Sequence, residues 1–298
     1  MTVKIATLNT CGGNSRVNHI INTINQYKLD ILMIQESHCM VKLLITEIGK
    51  KTKTRAFMSE GTTMGRGTMI FVHESDFIKD SKLKSKDTLG NIISVSIKFN
   101  DEMVELVNIY GPIDSGSRKK LFQLINEQIQ GTSNKIIGGD FNNFVNFNLD
   151  CIGGSLNNFC KKKAELDVLE EMSTIHGYVD TYRALHPRGQ AFTYTSRTSN
   201  NYRARLDRIY IHNMFNRILI KSEVIPIVFS DHDMYVITLD KNDGTDRLVR
   251  GRVIWKYNPK ILAIKDNMKV LEDRWIEWRN HKTEYTDLIC RMVRKRKE

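Results

Sequence analysis

The segment Ile136-Ile137-Gly138-Gly139-Asp140-Phe141-Asn142 limits the fold more than any other stretch of the chain. An apolar run that reads as a strand ends in two glycines, and a carboxylate and an amide follow one residue apart. Side chains alternate faces along a strand, so Asp140 and Asn142 are expected to point the same way at a sheet rim. There they can grip one water or one ion. Glycines just before them allow close backbone approach and unusual dihedrals, which suits a rim that a substrate must reach. Taken alone, the heptapeptide is equally a strand running into an Asn-rich turn. Its weight comes from other strand ends of the same kind.

From the start, Val3 to Asn9 alternates like a half-buried strand, and Val17, Ile20, Ile21, Ile24 and Tyr27 recur at helical spacing. Ile31 to Ile34 is an apolar strand that ends at Gln35-Glu36, where an unpaired carboxylate would be costly without a cation. A helix is expected from Val41 to Gly49, then a loop from Ser59 to Gly67 and a strand from Thr68 to Val72. The lysine-rich segment with Lys79, Lys82, Lys84 and Lys86 separates it from strands at Ile92 to Phe99 and Val104 to Tyr110. A helix from Arg118 to Gln130 leads back to the opening segment. Beyond it come a helix near Lys163 to His176, a strand from Gln190 to Tyr194, and a polar loop from Ser196 to Arg205. Leu206 to Ile211 reads as a strand, Val224 to Phe229 reaches Ser230-Asp231-His232-Asp233, and Met234 to Leu239 makes a last strand. Helices and strands do not alternate strictly, which favours two mixed sheets over one doubly wound sheet.

Composition narrows the setting. At 298 residues the chain can bury a substantial core, and no apolar run approaches the roughly 20 residues of a membrane span. Met1 leads directly into a strand-like segment with no secretory pattern, so the protein is expected inside the cell, with no membrane partner. Five scattered cysteines without a CxxC pair point to reduced thiols. The net charge of +11 suits a polyanionic partner. From Lys241 onward there are sixteen Lys and Arg against nine Asp and Glu, compared with 29 against 25 before it. That basic tail is either a solvated face or a nucleic-acid contact.

The strand ends carry Asn9, Glu36, Tyr110, Asp140, Asn142, Thr193, Asp207, Asp231 and His232. Phosphodiester hydrolysis needs the phosphoryl oxygens neutralised, a water aimed in line and the leaving oxygen assisted. Mg²⁺, or Mn²⁺ in its place, prefers hard oxygen ligands and needs only one or two carboxylates. Glu36 is the expected ligand, with Asn9 and Asp231 completing the metal set. Asp140 would orient and deprotonate the water while Asn142 hydrogen-bonds the water or a phosphoryl oxygen. His232 would touch the scissile phosphate, with a carboxylate fixing its tautomer. Tyr110 can donate to the phosphate or simply close its strand before Gly111-Pro112. Thr193 is either a phosphate contact or a β-branched strand residue.

In order and spacing, Leu8-Asn9, Gln35-Glu36, Ile109-Tyr110-Gly111-Pro112, Gly139-Asp140-Phe141-Asn142, Leu206-Asp207-Arg208-Ile209 and Ser230-Asp231-His232 resemble the endonuclease/exonuclease/phosphatase superfamily. The resemblance implies a DNase I-like α/β fold, a two-sheet α/β sandwich over residues 1–240, and names Asp207 as the partner of His232. Within the superfamily the chain is most similar to the apurinic-like endonuclease domain of non-LTR, LINE-type retrotransposon polyproteins. Asp150-Cys151-Ile152-Gly153-Gly154 resembles their Asp-Arg-x-Gly-Gly pattern, with Cys151 in place of Arg, and Trp255 to Leu262 resembles the stretch leading to their reverse transcriptase. In such enzymes a hairpin enters the minor groove where Arg197, Arg203 and Arg205 stand here. Those arginines are thus candidate DNA contacts, or else a solvated loop.

Residues 241–298 are expected as a mainly helical basic extension toward a reverse transcriptase domain, with Ile261, Ile264, Met268, Leu271, Trp275 and Trp278 on a heptad seam. The implied function is a Mg²⁺-dependent endonuclease that nicks double-stranded DNA to leave a 3′-hydroxyl. Ile113 stands where many repair-type relatives have Asn, which departs from abasic-site specificity. The alternatives are an abasic-site repair nuclease, a small-substrate phosphatase, or a DNA-binding remnant that no longer cleaves.

Overall fold

A computed structural model gives the architecture and describes residues 2–62, 65–132, 134–198 and 201–240. The expected extension from residue 241, with its heptad seam, lies outside the described residues.

The first half of the chain runs β1 (Thr2–Asn9), α1 (Val17–Tyr27), β2 (Ile31–Gln35), α2 (Lys42–Thr52), β3 (Arg55–Ser59) and β4 (Thr68–Val72). It continues through β5 (Ile78–Lys86), β6 (Ile92–Phe99), β7 (Glu102–Tyr110), α3 (Ser115–Ile129) and β8 (Lys135–Asp140). Short pieces follow: α4 (Phe147–Asp150), β9 (Cys151–Ile152), α5 (Leu156–Cys160), α6 (Lys163–Thr174), β10 (Tyr178–Asp180) and α7 (Thr181–Leu185). The chain then returns as β11 (Tyr194–Thr195), β12 (Arg203–Ala204), β13 (Asp207–His212), β14 (Leu219–Ile225) and β15 (Met234–Asp240).

Two six-stranded sheets result, ordered β14-β15-β1-β2-β4-β3 and β10-β13-β8-β7-β6-β5, with a three-stranded ribbon β11-β12-β9 beside them. Within each large sheet one parallel pair, β1–β2 or β7–β8, joins otherwise antiparallel neighbours. Strand parity makes the sandwich. Val3 and Ile5, Ile31 and Met33, Leu106, Ile136, Ile209 and Ile211 point between the sheets, while Ala6, Leu8, Leu32 and Ile34 face out under α1 and α2. On the other sheet Ile109 and Ile137 face out under α3 and α6, meeting Phe122 and Leu169. The two-sheet α/β reading is therefore the observed architecture.

Several local expectations differ. The lysine-rich stretch is not a connector but strand β5 at the edge of its sheet, its lysines exposed where they discourage edge pairing with another chain. β3 escaped notice because it too is an edge strand, half-buried and without clear alternation. Of Gln190 to Tyr194 only Tyr194 is in a strand, and Arg203–Ala204 of the expected loop pairs on both sides.

Candidate active site

The parity that fills the core also builds the site. Asn9, Gln35, Tyr110, Asp140 and Asp207 share the inward parity of their strands and fall at the same end, so the core gives way there to polar side chains. Register sets them side by side. Tyr110 pairs with Asp140 across β7–β8, and Asp207 pairs with Asp140 across β13–β8. From the opposite sheet the Asn9 amide nitrogen donates to Glu36 Oε1 at 2.9 Å and to Asp140 Oδ2 at 3.0 Å.

The two glycines have separate jobs. A Cβ on Gly138 would lie 2.6 Å from Met33 Sδ in the facing sheet, so the missing side chain lets the layers approach. Gly139 has φ +147° and its Cβ would stand 2.0 Å from the Ile109 carbonyl oxygen, a conformation and a contact that glycine alone tolerates. Asn142 reaches the site by a different route from the one expected. It lies past the strand end with φ +48°, its N–H donates to Asp140 Oδ1 at 2.8 Å, and its side-chain nitrogen donates to the Gly111 carbonyl at 2.7 Å.

His232 is clamped from several directions. Ser230 donates its hydroxyl to the Asn9 carbonyl at 2.7 Å and accepts the His232 N–H at 3.1 Å, tying the turn to β1. His232 Nδ1 lies 2.7 Å from Asp207 Oδ2, and Nε2 lies 3.9 Å from Asp140 Oδ2. Burial opposes the charged ring, but the Asp207 and Asp140 charges and the Asp207 hydrogen bond outweigh it and hold the pKa at about 10. Both ring nitrogens therefore carry protons at neutral pH. Burial first, then the Asp207 charge, raises the Asp140 carboxyl against the pull of His232, which makes it a stronger base than an exposed aspartate. Burial and the Glu36 and Asp140 charges push the Tyr110 phenol above its ordinary range, so it stays a donor.

Glu36, Tyr110, Asp140, Asn142, Asp231 and His232 all line one cleft of about 400 Å³. Asp231 and Glu36 act together there, since burial and then both of their charges raise the Cys11 thiol at the mouth. The donor set fits a hard divalent cation. Glu36, Asp140, Asp207 and Asp231 bring four carboxylates to one imidazolium, and the buried Oδ1 of Asp207 has no hydrogen-bond partner. Ligand atoms of Asp140, Asp207 and His232 also lie within 4.8 Å of one another, but the imidazolium of His232 already offsets one of the two carboxylate charges there. The half-exposed Glu36–Asp231 end is the better seat. Asn9 presents its nitrogen to the carboxylates and its oxygen accepts from the Cys11 N–H at 2.9 Å, so it steers Glu36 and keeps one lone pair of that oxygen for an ion.

Two candidate DNA contacts prove to be internal. Arg205 is 1% exposed, because its guanidinium is spent on Asp150 Oδ1 at 2.8 Å and Asp180 Oδ2 at 2.7 Å. Thr193 is fully buried, and its hydroxyl accepts the Leu206 and Asp207 N–H groups at 3.0 Å each, which fixes Asp207 instead of meeting solvent. Arg197 and Arg203 are exposed, Arg197 4.0 Å from Asp231 at the rim.

The sequence reading missed the buried supports. Gln35 Nε2 donates to Asn108 Oδ1 at 2.6 Å, and Asn108 Nδ2 donates across the sandwich to the Ile34 and Met69 carbonyls at 2.8 Å each. Arg118 is bidentate to Glu165, which also accepts from Asn143 at 2.7 Å, locking α3 and α6 to the segment after Asn142. A polar residue at an inward position of an apolar strand, as Asn108 is in Val107-Asn108-Ile109, was the available signal. A larger cavity of about 660 Å³ lies beside α6 and α7, and its Asp150, Asp180, Arg183 and Arg205 are already paired with one another.

The chain matches the Endonuclease/Exonuclease/phosphatase family over residues 6–232. Among solved structures it is similar to an AP endonuclease from Leishmania major, with a TM-score of 0.65 and 16% identity over 80% of this chain and 87% of that one. It is similar to a 3′ phosphatase from Neisseria bound to product DNA hairpin, with a TM-score of 0.62 and 18% identity over 80% and 99%. The endonuclease domain of TRAS1, a telomere-specific non-LTR retrotransposon, has a TM-score of 0.57 and 19% identity over 80% and 98%. At these identities the solved structures establish a shared fold.

Proposed function

The chain belongs to the endonuclease/exonuclease/phosphatase family, and we propose that it is a divalent-metal-dependent DNA endonuclease that leaves a 3′-hydroxyl nick. The observation that carries the reading is geometric: His232 Nδ1 lies 2.7 Å from Asp207 and Nε2 3.9 Å from Asp140, in the same cleft as Glu36.

Asp140, held through both oxygens by Asn9 and the Asn142 N–H, takes the proton of the attacking water. Asn142, its side chain fixed by the Gly111 carbonyl and next to Tyr110, can accept from that water through its amide oxygen. His232 Nε2–H and the Tyr110 hydroxyl donate to phosphoryl oxygens, one as a cation and the other as a neutral phenol. Glu36 and Asp231 would hold Mg²⁺ or Mn²⁺, which when bound would supply positive charge to the phosphoryl and leaving oxygens.

The basic composition and the exposed Arg197 and Arg203 support DNA as substrate. From the sequence likeness of Asp150 to Gly154 and Trp255 to Leu262 to retrotransposon polyproteins we infer a retrotransposon origin, and with it a reverse transcriptase as partner and action in the nucleus. The test is nicking of supercoiled plasmid by wild type beside Asp140→Ala and His232→Ala, with Mg²⁺, Mn²⁺ or EDTA, and with abasic duplex and 3′-phosphate ends in parallel. Metal-dependent nicks that a polymerase extends directly support the reading. Hydrolysis of 3′-phosphate ends alone would replace it with a phosphatase.

A further inference from the structure

Lys162, in the turn that enters α6, walls the same cleft but has no part in the chemistry above. Its side chain is half-buried, and among the described residues it has no carboxylate partner within ion-pair range. The neighbouring cation, Arg118, is saturated by Glu165 and by the Pro112 and Ile113 carbonyls. Burial first, then the Arg118 charge, lowers the Lys162 ammonium below the ordinary lysine range. A cation so placed gains most from an anion arriving in the cleft.

The position is distinct from the acidic end. Lys162 interacts with Arg118, Glu165 and Cys151, whereas Glu36 and Asp231 act on Cys11 at the other mouth. The Tyr194 ring lies 5.0 Å from His232, and the Tyr202 ring lies 6.1 Å from Tyr194 and interacts with Cys151. A row of neighbours thus runs from His232 through Tyr194, Tyr202 and Cys151 to Lys162 along the cleft lining, and aromatic rings in such a row can meet the sugar and base that join successive phosphates.

We propose that Lys162 binds a backbone phosphate neighbouring the scissile one on the same strand. The cleft is then specific for an internal phosphodiester with a charged neighbour and disfavours an isolated phosphate monoester. This deepens the nuclease reading and rests on it.

The test uses the full chain and a duplex oligonucleotide spanning a nick site mapped on plasmid. Each linkage flanking the site is replaced in turn by a neutral methylphosphonate. In the wild type one replacement raises KM about tenfold. Lys162→Met raises KM on the unmodified duplex by a similar factor and loses nothing more from that same replacement, whereas Lys162→Arg keeps most of the affinity. The slope of log affinity against log salt becomes shallower by about 1 in Lys162→Met, while the melting temperature stays within about 2 °C. Independent, additive losses at every linkage, or an unaltered KM in Lys162→Met, overturn the assignment. If the wild type binds duplex without nicking it, the nuclease reading fails, and methylphosphonate replacement at each linkage of a short bound duplex, read on Kd, decides Lys162 separately. One linkage whose replacement costs the wild type but not Lys162→Met supports the assignment, and the lack of any such linkage overturns it.

Discussion

Asp140 and Asp207 are direct cross-strand partners, two fully buried carboxylates on one rung of the β8–β13 pair. Like charges in that arrangement repel, and His232, protonated between them, reconciles the pair.

His232→Ala should therefore cost both chemistry and stability. Nicking is expected to fall at least about a hundredfold, the range for losing a positioned proton donor. Removal of the cation strands two buried carboxylates, so unfolding in urea should show a loss of about 3 kcal/mol. A variant as stable as the wild type would mean that His232 is not the neutralising charge.

The same trio fixes a pH dependence. The folded pKa of His232, about 10, lies above its ordinary 6.5, so its stabilisation is complete below pH 6.5 and is lost as pH climbs through 10. The raised Asp140 pKa acts in the same direction. Melting temperature should decline from pH 7 to 10 more steeply in wild type than in His232→Gln. Nicking should persist through pH 8 and fall only toward pH 10, and an inflection near 6.5 would sink this account.

The glycine pair should separate into a mild and a severe substitution. In Gly138→Ala the new Cβ meets Met33 Sδ, the far end of a flexible side chain that can move, at a cost of about 1–2 kcal/mol. In Gly139→Ala the clash is with the Ile109 backbone and φ is +147° as well, so a loss of at least about 3 kcal/mol or failure to fold is expected. Thermal melts of the two variants decide it, and equal losses would contradict it.

The arginines predicted together should part company. Arg205→Met is expected to lower stability by about 2 kcal/mol, because it takes from the buried Asp150 one of its two arginine partners and from the partly buried Asp180 its bidentate one. Arg197→Ala and Arg203→Ala should leave the melting temperature alone, weaken duplex binding, and each flatten its salt dependence by about 1 in slope. Fluorescence anisotropy across a salt series, beside melting curves, measures both.

Asn108→Leu tests the inter-sheet bridge. The Ile34 and Met69 carbonyls and Gln35 would lose their partner in a fully buried space, at a cost of about 2–4 kcal/mol. A stabilised variant would show that hydrophobic filling outweighs those bonds.

Most of the strand ends that form the cleft were readable because an apolar run closing on a polar residue is a local pattern. Asn9, Glu36, Tyr110 and Asp140 were each marked by it, while Asp207 stood out as a carboxylate in an apolar run and His232 as a histidine after Asp231 at a strand entrance. Asn142 was marked too, but by an argument from alternation that its left-handed backbone does not obey. Arg205 misled because a charged residue in a polar loop looks the same whether it meets solvent or turns in toward Asp150 and Asp180, 55 and 25 residues away.

By itself the sequence determined which side chains lie inward, since a two-residue period follows from backbone geometry alone and survives in any sheet the strand joins. Which strands become neighbours, and in what register, was decided only by the tertiary structure. Pairing Asp207 with Asp140 and bringing Asn9 across from the other sheet depend on long-range packing of surfaces that no local window contains. The charge state of His232 belongs to that second category, because its field comes from carboxylates 25 and 92 positions away in the chain.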